Sequence, residues 1–399
     1  MSQEYPDPER PVTSLDAREV RRRLAAGESV HLLDVRNRSE IDAWRIEGEN
    51  VDRTDVPYMK FVAAEATDSV ADLVENVAEP VVAVCARGEA SAYVASLLEG
   101  EGIEAANLAG GMEGWARLYE ATTVSEEPRV VQYARPSSGC LAYLVVSDGE
   151  AAVVDPLRAF ADRYVEDARE YGAELRYALD THVHADHVSA LRELAEEGVG
   201  PVLPAEATER GLADPERFTL LEAGDSLAVG RATVEAVAAP GHTTEMTAYR
   251  VRSGGDETED GGREEGGDVL LTGDGLFTER VPRPDLEAGD EGAADHARDL
   301  HRTLVGRFAD LPDDALVAPG HYDPADGGAG PHVARLGDLR ESLPAFGMSE
   351  EEFVAYVTER MGARPANFER VIAVNLGREA VDEGTAFELE LGPNNCAAG

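Results

Sequence analysis

Short apolar runs alternate with helical patterns along the first 120 residues. The runs SVHLLDV (29–35) and EPVVAVC (79–85) are rich in valine and apolar at consecutive positions, which is typical of strands buried on both faces. Helical spacing of apolar residues appears instead in SLDAREVRRRLAAG (14–27) and EASAYVASLLEGEG (89–102). Strands that alternate with helices predict a parallel sheet flanked by helices, the α/β class.

A second pattern begins near Val130. The segment CLAYLVVSDGEAAVVDP (140–156) predicts two strands joined by a hairpin turn at Asp148-Gly149. Further apolar runs precede APGHTTEM (239–246) and LLTGDGLF (270–277), whereas TTVSEEPR (122–129) is polar. We therefore predict an N-terminal domain over 10–120, a linker over 121–129 and a second domain over 130–399.

Composition narrows the range of partners. The 399 residues carry 79 acidic and 36 basic side chains, a formal net charge of −43, and Lys60 is the single lysine. Such a surface repels nucleic acid and anionic membranes, and it resembles the surfaces of proteins from salt-loving organisms. Three cysteines are too few for a disulfide framework, and neither a secretory signal pattern nor a membrane-spanning apolar run is present. We expect a cytoplasmic protein with reduced thiols; its oligomeric state, a homodimer included, stays open.

The stretch THVHADH (181–187) holds three of the nine histidines and an aspartate. Neutral imidazole is a good metal ligand, and a carboxylate completes hard or borderline sites. Three further polar residues follow apolar runs and lie beside glycine downstream: His242 in PGHT, Asp274 in TGDG and His321 in APGHY. Loops at strand ends are where rigid scaffolds present functional groups. Together these residues predict a metal site.

The same residues resemble the metallo-β-lactamase superfamily in its glyoxalase II-like branch, over about residues 130–380. The resemblance implies an αββα sandwich with the metal at the open edge of two packed sheets. In the two-metal form that it implies, one metal takes His182, His184, His242 and Asp274. The second takes Asp186, His187 and His321 and shares Asp274 as a bridge. Such a pair of metals, zinc in this branch, activates water for thioester hydrolysis.

Three segments bring the chain nearer to the persulfide dioxygenases. SSGCLAYLV places Cys140 before a long strand, TGDGLFTERVPRPDL carries Arg283 and Asp285, and RMGARPANFERVIAVNLG (360–377) resembles a short C-terminal extension. This resemblance implies a single ferrous ion held by His182, His242 and Asp274, with open positions for O2 and substrate. The residues His184, Asp186, His187 and His321 then orient the ligands. Cys396 falls in a tail that we predict to be disordered and outside the site.

Cys85 ends an apolar strand and opens CARGEAS (85–91), which leads into a helix. Backbone N–H groups in such a loop and the start of the helix favour an anion, so a cysteine there is expected to be partly thiolate and nucleophilic. Arg87 adds positive charge that suits a sulfonate- or sulfate-like group. A buried cysteine that only finishes a core strand is the alternative.

LLDVRNRSEI (32–41), CARGEAS and NLAGGMEGW (107–115) together resemble the rhodanese domain, over about residues 10–120. The resemblance implies sulfane-sulfur transfer through a persulfide on Cys85, with a donor such as thiosulfate, and a structural role for Asp34 and Arg36. The leading hypothesis is an enzyme of sulfur metabolism that oxidises a low-molecular-weight thiol persulfide with O2 to sulfite and carries a coupled sulfurtransferase domain. A two-metal zinc hydrolase of the hydroxyacylglutathione type is the second hypothesis, and a sulfur-relay partner with a structural metal is the third.

Overall fold

The computed structural model of the chain describes residues 5–254, 267–326 and 330–398. Within that part it divides into two compact units, the first built mainly from the residues up to Glu120 and the second from most of the remainder. No helix of the described residues is both long enough and apolar enough to cross a membrane.

The first unit contains a parallel sheet with the strand order β1-β5-β4-β2-β3. Its strands in the described chain are β1 (Thr13–Leu15), β2 (Val30–Asp34), β3 (Val51–Asp55), β4 (Val81–Val84) and β5 (Ala105–Leu108). The helices α1 (Ala17–Ala25), α2 (Arg38–Ala43), α3 (Tyr58–Glu65) and α4 (Glu89–Gly100) connect these strands, and α5 (Gly111–Ala116) follows β5.

Both faces of this sheet are covered. Alternate residues of β4 point in opposite directions, so Val81 and Ala83 pack with Phe61 of α3, whereas Val82 and Val84 pack with Trp115 of α5. This two-sided burial explains why β2 and β4 read as continuous apolar runs. The predicted α/β layer with flanking helices is confirmed.

The second unit is built on two sheets. The first has the order β12-β11-β10-β9-β8-β7-β6 and the second the order β13-β14-β15-β16-β18-β19 in the described residues. The first sheet comprises β6 (Glu120–Glu126), β7 (Arg129–Ala134), β8 (Leu141–Ser147), β9 (Glu150–Val154), β10 (Glu174–Leu179), β11 (Gly200–Pro204) and β12 (Thr219–Leu221). The second comprises β13 (Ser226–Val229), β14 (Ala232–Ala238), β15 (Thr247–Arg252), β16 (Val269–Gly273), β18 (Leu316–Pro319) and β19 (Ala334–Arg335), and β17 (Val281–Pro282) pairs with β20 (Ala397–Ala398).

The two sheets of the second unit pack face to face. Tyr143 and Val154 of the first sheet and Tyr249 and Leu271 of the second are all buried in one cluster. Helices α6 (Ala161–Glu170) and α7 (Leu191–Glu196) pack against the first sheet, and α8 (Gly289–Arg302), α9 (Leu336–Ser342) and α10 (Glu350–Thr358) pack against the second. Helices α11 (Phe368–Asn375) and α12 (Glu383–Leu389) pack instead with Val188, in the loop after β10. On the outer side of the second sheet, for example, Leu300 of α8 and Phe353 of α10 pack against Leu270. The predicted αββα sandwich is confirmed.

Two local predictions have different outcomes. The hairpin turn at Asp148-Gly149 is present: β8 and β9 pair up to Ser147 and Glu150, and both turn residues have positive φ (47° and 81°), as a tight hairpin of this hand requires. Most of the segment 121–129, which is predicted as a linker, lies in β6 at the edge of the first sheet. Its polar character follows from that position, since the residues of β6 are exposed or only half-buried.

Candidate metal centre and candidate sulfur-transfer site

Strand ends bring the predicted ligands of the second unit together. Asp274 directly follows β16 and His321 lies just beyond β18, and these two strands are parallel neighbours with Gly273 opposite Pro319. The loop that carries THVHADH follows β10, and His242 follows β14. Residues that directly follow parallel strands emerge at the same edge of a sheet. The order of the strands therefore brings residues from separate sequence segments into one cluster.

Three of the predicted ligands form the first group. Nε2 of His182 lies 3.8 Å and Nε2 of His242 lies 3.5 Å from Oδ2 of Asp274, and all three side chains are buried. Their candidate ligand atoms lie within 4.8 Å of one another. Two imidazoles and one carboxylate in this arrangement can hold a single divalent cation and leave coordination positions open.

Neighbouring groups fix the tautomers of the two histidines. Nδ1 of His242 lies 2.7 Å from the carbonyl oxygen of Arg283, which only accepts, so Nδ1 carries the proton and Nε2 has a free lone pair. The Thr181 hydroxyl donates to Asp155 at 3.0 Å and therefore accepts from Nδ1 of His182 at 2.9 Å. In both rings the nitrogen that faces Asp274 is thereby the unprotonated one.

Unpartnered buried atoms test whether these residues fit a metal. Burial of polar atoms without partners is costly, and clusters of such atoms point to a missing ion. Among the described residues, the buried side-chain atoms without a hydrogen-bond partner include five that belong to predicted ligands: His182 Nε2, His184 Nδ1, Asp186 Oδ1, His187 Nε2 and Asp274 Oδ2. These are lone-pair atoms of the residue types that bind divalent cations, so the site fits a metal.

Burial and neighbouring charges act in opposite directions on the pKa values of two histidines of the site. Burial and the neighbouring His184 and His242 hold the pKa of His182 well below its usual value, which keeps its imidazole neutral and able to bind a cation. Burial acts to lower the pKa of His321 as well, but the Asp274 and Asp186 carboxylates outweigh burial and raise it well above its usual value. Nδ1 of His321 lies 2.7 Å from Asp274 Oδ1, and Nε2 lies 2.8 Å from Asp186 Oδ2.

The structure distributes the remaining predicted ligands over two further groups. His184 belongs to a group with Asp155 and Asp180, and its Nε2 lies 3.0 Å from Asp155 Oδ1. Its ring also contacts the ring of His182, with 4.2 Å between the two centroids. Asp186, His187 and His321 form a separate group, which also includes Cys140. Oδ1 of Asp274 accepts a hydrogen bond from Nδ1 of His321. The bridging role expected of Asp274 in a two-metal form stays a prediction.

Several residues around the centre escaped the sequence analysis. Asp155 has a left-handed backbone (φ 52°), and its carboxylate also accepts from the Thr181 amide at 2.7 Å. Burial raises the pKa of Asp180 to about 7. Asn375 donates to the carbonyl groups of His184 and His187 at 3.0 and 2.9 Å. Nothing local in the sequence could have revealed this contact, because the partners are 191 and 188 residues apart.

The prediction for Cys396 is wrong. Its side chain is fully buried, and it belongs to a group with Asp274 and His321 whose candidate ligand atoms lie within 4.8 Å of one another. The backbone explains its placement: the Arg283 amide donates to the Cys396 carbonyl at 3.0 Å, and the Arg283 guanidinium donates to the carbonyl groups of Asn395, Gly362 and Ala363. A buried arginine thus ties the C-terminal segment to the loop that orients His242.

In the first unit Cys85 lies in a compact loop between β4 and α4. The Gly88 amide donates to its Sγ at 3.0 Å, and the Ser91 hydroxyl lies 3.1 Å from Sγ and 2.7 Å from Asn107 Oδ1. The loop places Sγ at the start of a twelve-residue helix, within hydrogen-bond distance of one backbone amide and one hydroxyl. The side chain of Arg87 is exposed, and its Nε donates to Glu113 at 2.5 Å.

The segment NLAGGMEGW holds the Cys85 loop in place through backbone hydrogen bonds. The amide of Met112 donates to the Cys85 carbonyl at 2.9 Å, and that of Glu113 donates to the Ala86 carbonyl at 3.0 Å. Gly111 has φ +56°, and a Cβ there would lie 2.3 Å from the Cys85 carbonyl oxygen, so the close approach requires glycine. Asp34 and Arg36 form a buried ion pair at 2.7 Å, in keeping with a structural role.

Comparison with known proteins agrees with this geometry. The metallo-β-lactamase superfamily model matches residues 136–321, and the rhodanese-like domain model matches 16–118. A probable metallo-hydrolase of Burkholderia pseudomallei is 30% identical over 258 residues, which cover 56% of this chain and 83% of that protein. The chain belongs to the metallo-β-lactamase superfamily. A rhodanese-like domain precedes its metallo-β-lactamase domain.

Two further similarities concern the metallo-β-lactamase domain. Human mitochondrial persulfide dioxygenase ETHE1 is 27% identical over 232 residues, 57% of this chain and 78% of that protein. The crystal structure of ETHE1 from Myxococcus xanthus superposes with a TM-score of 0.50 at 24% identity, over 66% of this chain and 100% of that one, which shows a shared fold. The shared fold and the buried cluster of unpartnered ligand atoms together identify this member of the superfamily as a metalloenzyme.

Proposed function

We propose that the protein oxidises a low-molecular-weight thiol persulfide with O2 to sulfite at a single ferrous ion, and that Cys85 transfers sulfane sulfur in the rhodanese-like domain. The observation that carries the first part is the group of His182, His242 and Asp274. Two histidines and one carboxylate with open positions are the ligand set of non-haem iron oxygenases. The similarity to human persulfide dioxygenase supports the choice of substrate.

A bound iron would hold O2 and the terminal sulfur of the persulfide at the same time. The two reactants would then be adjacent and would not have to meet in solution. The protein's own residues supply orientation. Arg283 and Thr181 hold the two imidazoles with their Nε2 atoms toward Asp274. His321 holds Oδ1 of Asp274 and leaves Oδ2 for the cation. The near-complete burial of all three ligands excludes bulk water from the site.

In the rhodanese-like domain the Cys85 thiolate would attack the outer sulfur of a donor such as thiosulfate. A bond forms between Sγ and that sulfur, the donor's S–S bond breaks, and sulfite leaves with the electron pair. The Gly88 amide would stabilise the negative charge on Sγ before the attack, and the Ser91 hydroxyl would add to this when its single proton turns from Asn107 Oδ1 to Sγ. The persulfide on Cys85 then passes its outer sulfur to an acceptor thiolate, and Cys85 returns to its thiolate form.

Metal analysis combined with oxygen uptake tests the metal-dependent part. We expect iron in the purified chain and O2 consumption that depends on added thiol persulfide, with sulfite as product. The His242→Ala variant is expected to lose both iron and O2 uptake. His296→Ala is the matched control, since His296 lies on α8 and belongs to none of the ligand groups found among the described residues. Iron-loaded protein that consumes no O2 with persulfide would contradict the proposal.

A two-metal zinc hydrolase that cleaves a thioester such as hydroxyacylglutathione is the second candidate. The additional group that contains Asp186, His187 and His321 favours it, as does the similarity to the Burkholderia metallo-hydrolase. Zinc-loaded protein that cleaves a thioester without O2 uptake would support this candidate over the first.

The sulfurtransferase part has its own assay. Formation of thiocyanate from thiosulfate and cyanide should be lost in Cys85→Ser and retained in Cys396→Ser, whose thiol lies in the other unit. Thiocyanate formation that survives in Cys85→Ser would exclude the persulfide role of Cys85.

A further inference from the structure

Basic side chains gather around one cavity of the rhodanese-like domain, although the chain as a whole is strongly acidic. The cavity measures about 500 Å³, which lies in the size range of small-molecule sites. Two carboxylates line it, those of Asp42 and Asp55. Acidic side chains outnumber basic ones by 79 to 36 in the sequence, so an excess of cations at one cavity runs against the composition. The cationic side chains that line the cavity are those of Arg38, Arg45, Arg53 and Lys60.

The three arginines of this cavity contact carboxylates through Nε and keep their terminal nitrogens for other partners. Nε of Arg53 donates to Asp55 at 2.8 Å, and Nε of Arg45 donates to Glu47 at 2.5 Å. Nε of Arg38 lies 3.5 Å from a carboxylate oxygen. Within the described chain, the terminal guanidinium nitrogens of these arginines make no hydrogen bond. Such nitrogens match the geometry of phosphate and carboxylate oxygens.

Lys60 adds a cation that no carboxylate neutralises. It is the single lysine of the sequence, it is exposed on α3, and it forms no ion pair in the part of the chain that the structure describes. Its ammonium group is a compact point charge that suits a phosphate. Buried Ile41 and half-buried Pro57 supply apolar surface in the same cavity. Cations beside a small apolar surface suit a ligand with an anionic group and an apolar portion.

The cavity is separate from the Cys85 loop. It lies at the carboxyl end of β3, the edge strand of the sheet, where Asp55 pairs with Asp34 of β2. Asp34 pairs in turn with Val84 of β4, directly before Cys85. Strands in a sheet lie about 4.8 Å apart, so the ends of β3 and β4 are separated by about 10 Å. No residue of the segment 85–91 lines the cavity.

We propose that this cavity binds a small phosphorylated molecule, whose phosphate contacts Arg45, Arg53 and Lys60. A phosphate monoester carries about two negative charges and three acceptor oxygens, so it can engage several cations at once, which a single carboxylate cannot. Cations that only protect an edge strand from pairing with another chain would show no such preference. The inference goes beyond the proposed function, and its failure leaves that function untouched, because neither Cys85 nor the metal centre takes part.

Pyridoxal 5′-phosphate is the probe, because its aldehyde forms an imine with an amine while its phosphate occupies the site. The full-length chain is incubated with the probe, the imine is reduced with borohydride, and the modified peptide is identified by mass spectrometry. Lys60 carries the only side-chain amine of the sequence, so its modification is read without ambiguity. We expect Lys60 to react at least about tenfold faster than free Nα-acetyl-lysine, since one charge-assisted hydrogen bond changes a binding constant by about that factor. Without a site, the net charge of −43 would repel the anionic probe.

Inorganic pyrophosphate should protect Lys60 from the probe, whereas potassium chloride at the same ionic strength should not. This comparison needs no variant, so it decides the question even where a substitution impairs folding. Arg53→Gln and Arg45→Gln should each slow the modification of Lys60 about tenfold. Arg22→Gln is the matched control, because Arg22 also meets a carboxylate through Nε, at 2.9 Å, but lies on α1 away from the lining of the cavity.

Three results would overturn the proposal. Lys60 that reacts no faster than the free amino acid derivative would show that no site concentrates the probe there. Equal rates in Arg53→Gln and Arg22→Gln would show that the arginines of the cavity do not hold the phosphate. Protection by citrate as strong as that by pyrophosphate would show that the cavity does not select a phosphate.

Discussion

Replacing Asn375 with alanine removes three hydrogen bonds that join α11 to the metal-binding loop. Its Nδ2 donates to the carbonyl groups of His184 and His187, and its Oδ1 accepts from the Ser189 amide at 2.9 Å. Glu390 adds a fourth contact to the same loop, since it accepts from the Val188 amide at 3.1 Å. The C-terminal extension thereby determines the path of a loop that supplies most of the candidate ligands.

The magnitude follows from these contacts. A hydrogen bond contributes about 0.5–1.5 kcal/mol net, and a buried polar group left without a partner costs about 1–3 kcal/mol. Because Asn375 is only half-buried, water can reach part of the gap, and we expect a loss of about 2–3 kcal/mol in the free energy of unfolding. Apparent metal affinity scales with the fraction of molecules whose loop is competent to bind, so it should fall about tenfold to a hundredfold.

Competition with a chromophoric chelator measures this affinity, and thermal unfolding of the metal-free chain measures stability. Arg370→Ala is the matched control, because Arg370 lies on the same helix and pairs with Glu379 at 2.7 Å on the exposed side. It should leave metal affinity unchanged. Asn375→Ala protein that is destabilised yet binds metal as tightly as the wild type would refute the reasoning, since the loop would then need no support from α11.

Three further predictions concern other parts of the molecule. Ser91→Ala should lower kcat/KM for thiocyanate formation about tenfold or more, since a hydrogen bond to a charged group contributes about 1.5–3 kcal/mol. Ser96 is buried on the same helix, and Ser96→Ala should leave kcat/KM unchanged. Equal rates for the two variants would count against a role for Ser91. Burial acts to raise the pKa of Asp285, but hydrogen bonds from Arg283 and Arg364 outweigh burial and lower it. The ionised carboxylate therefore stabilises the fold at any pH above its unfolded pKa of about 3.9. This stability is lost as the pH falls through the lower pKa of the folded state. Asp285→Asn should therefore flatten the acid side of a stability–pH curve, and an unchanged curve would contradict this account. With a net charge of −43, the unfolding temperature should rise from low salt to about 1 M KCl, where the Debye length is about 3 Å; a fall would show that self-repulsion does not limit stability.

Much of the fold was predictable because local patterns express it. Valine-rich runs such as β4 have to be buried on both faces, and Asp148-Gly149 between two apolar runs favours a hairpin turn. Glycine at 111 belongs to a motif whose close backbone approach admits no Cβ. The residue types of the candidate metal site were equally visible, since histidines and aspartates crowd the ends of strands.

The grouping of those residues was decided by tertiary structure alone. Parallel pairing of β16 with β18 places Asp274 beside His321, and the two side chains form a hydrogen bond. An isolated β-bridge places Cys140 opposite His321. The buried Arg283 guanidinium holds the C-terminal segment that carries Cys396 near the site, although the sequence of that segment suggests a disordered tail. Asn375 reaches the metal-binding loop across 188 residues of chain. Local sequence records the chemistry of each side chain, but contacts between distant segments depend on strand order and packing, which no single segment contains.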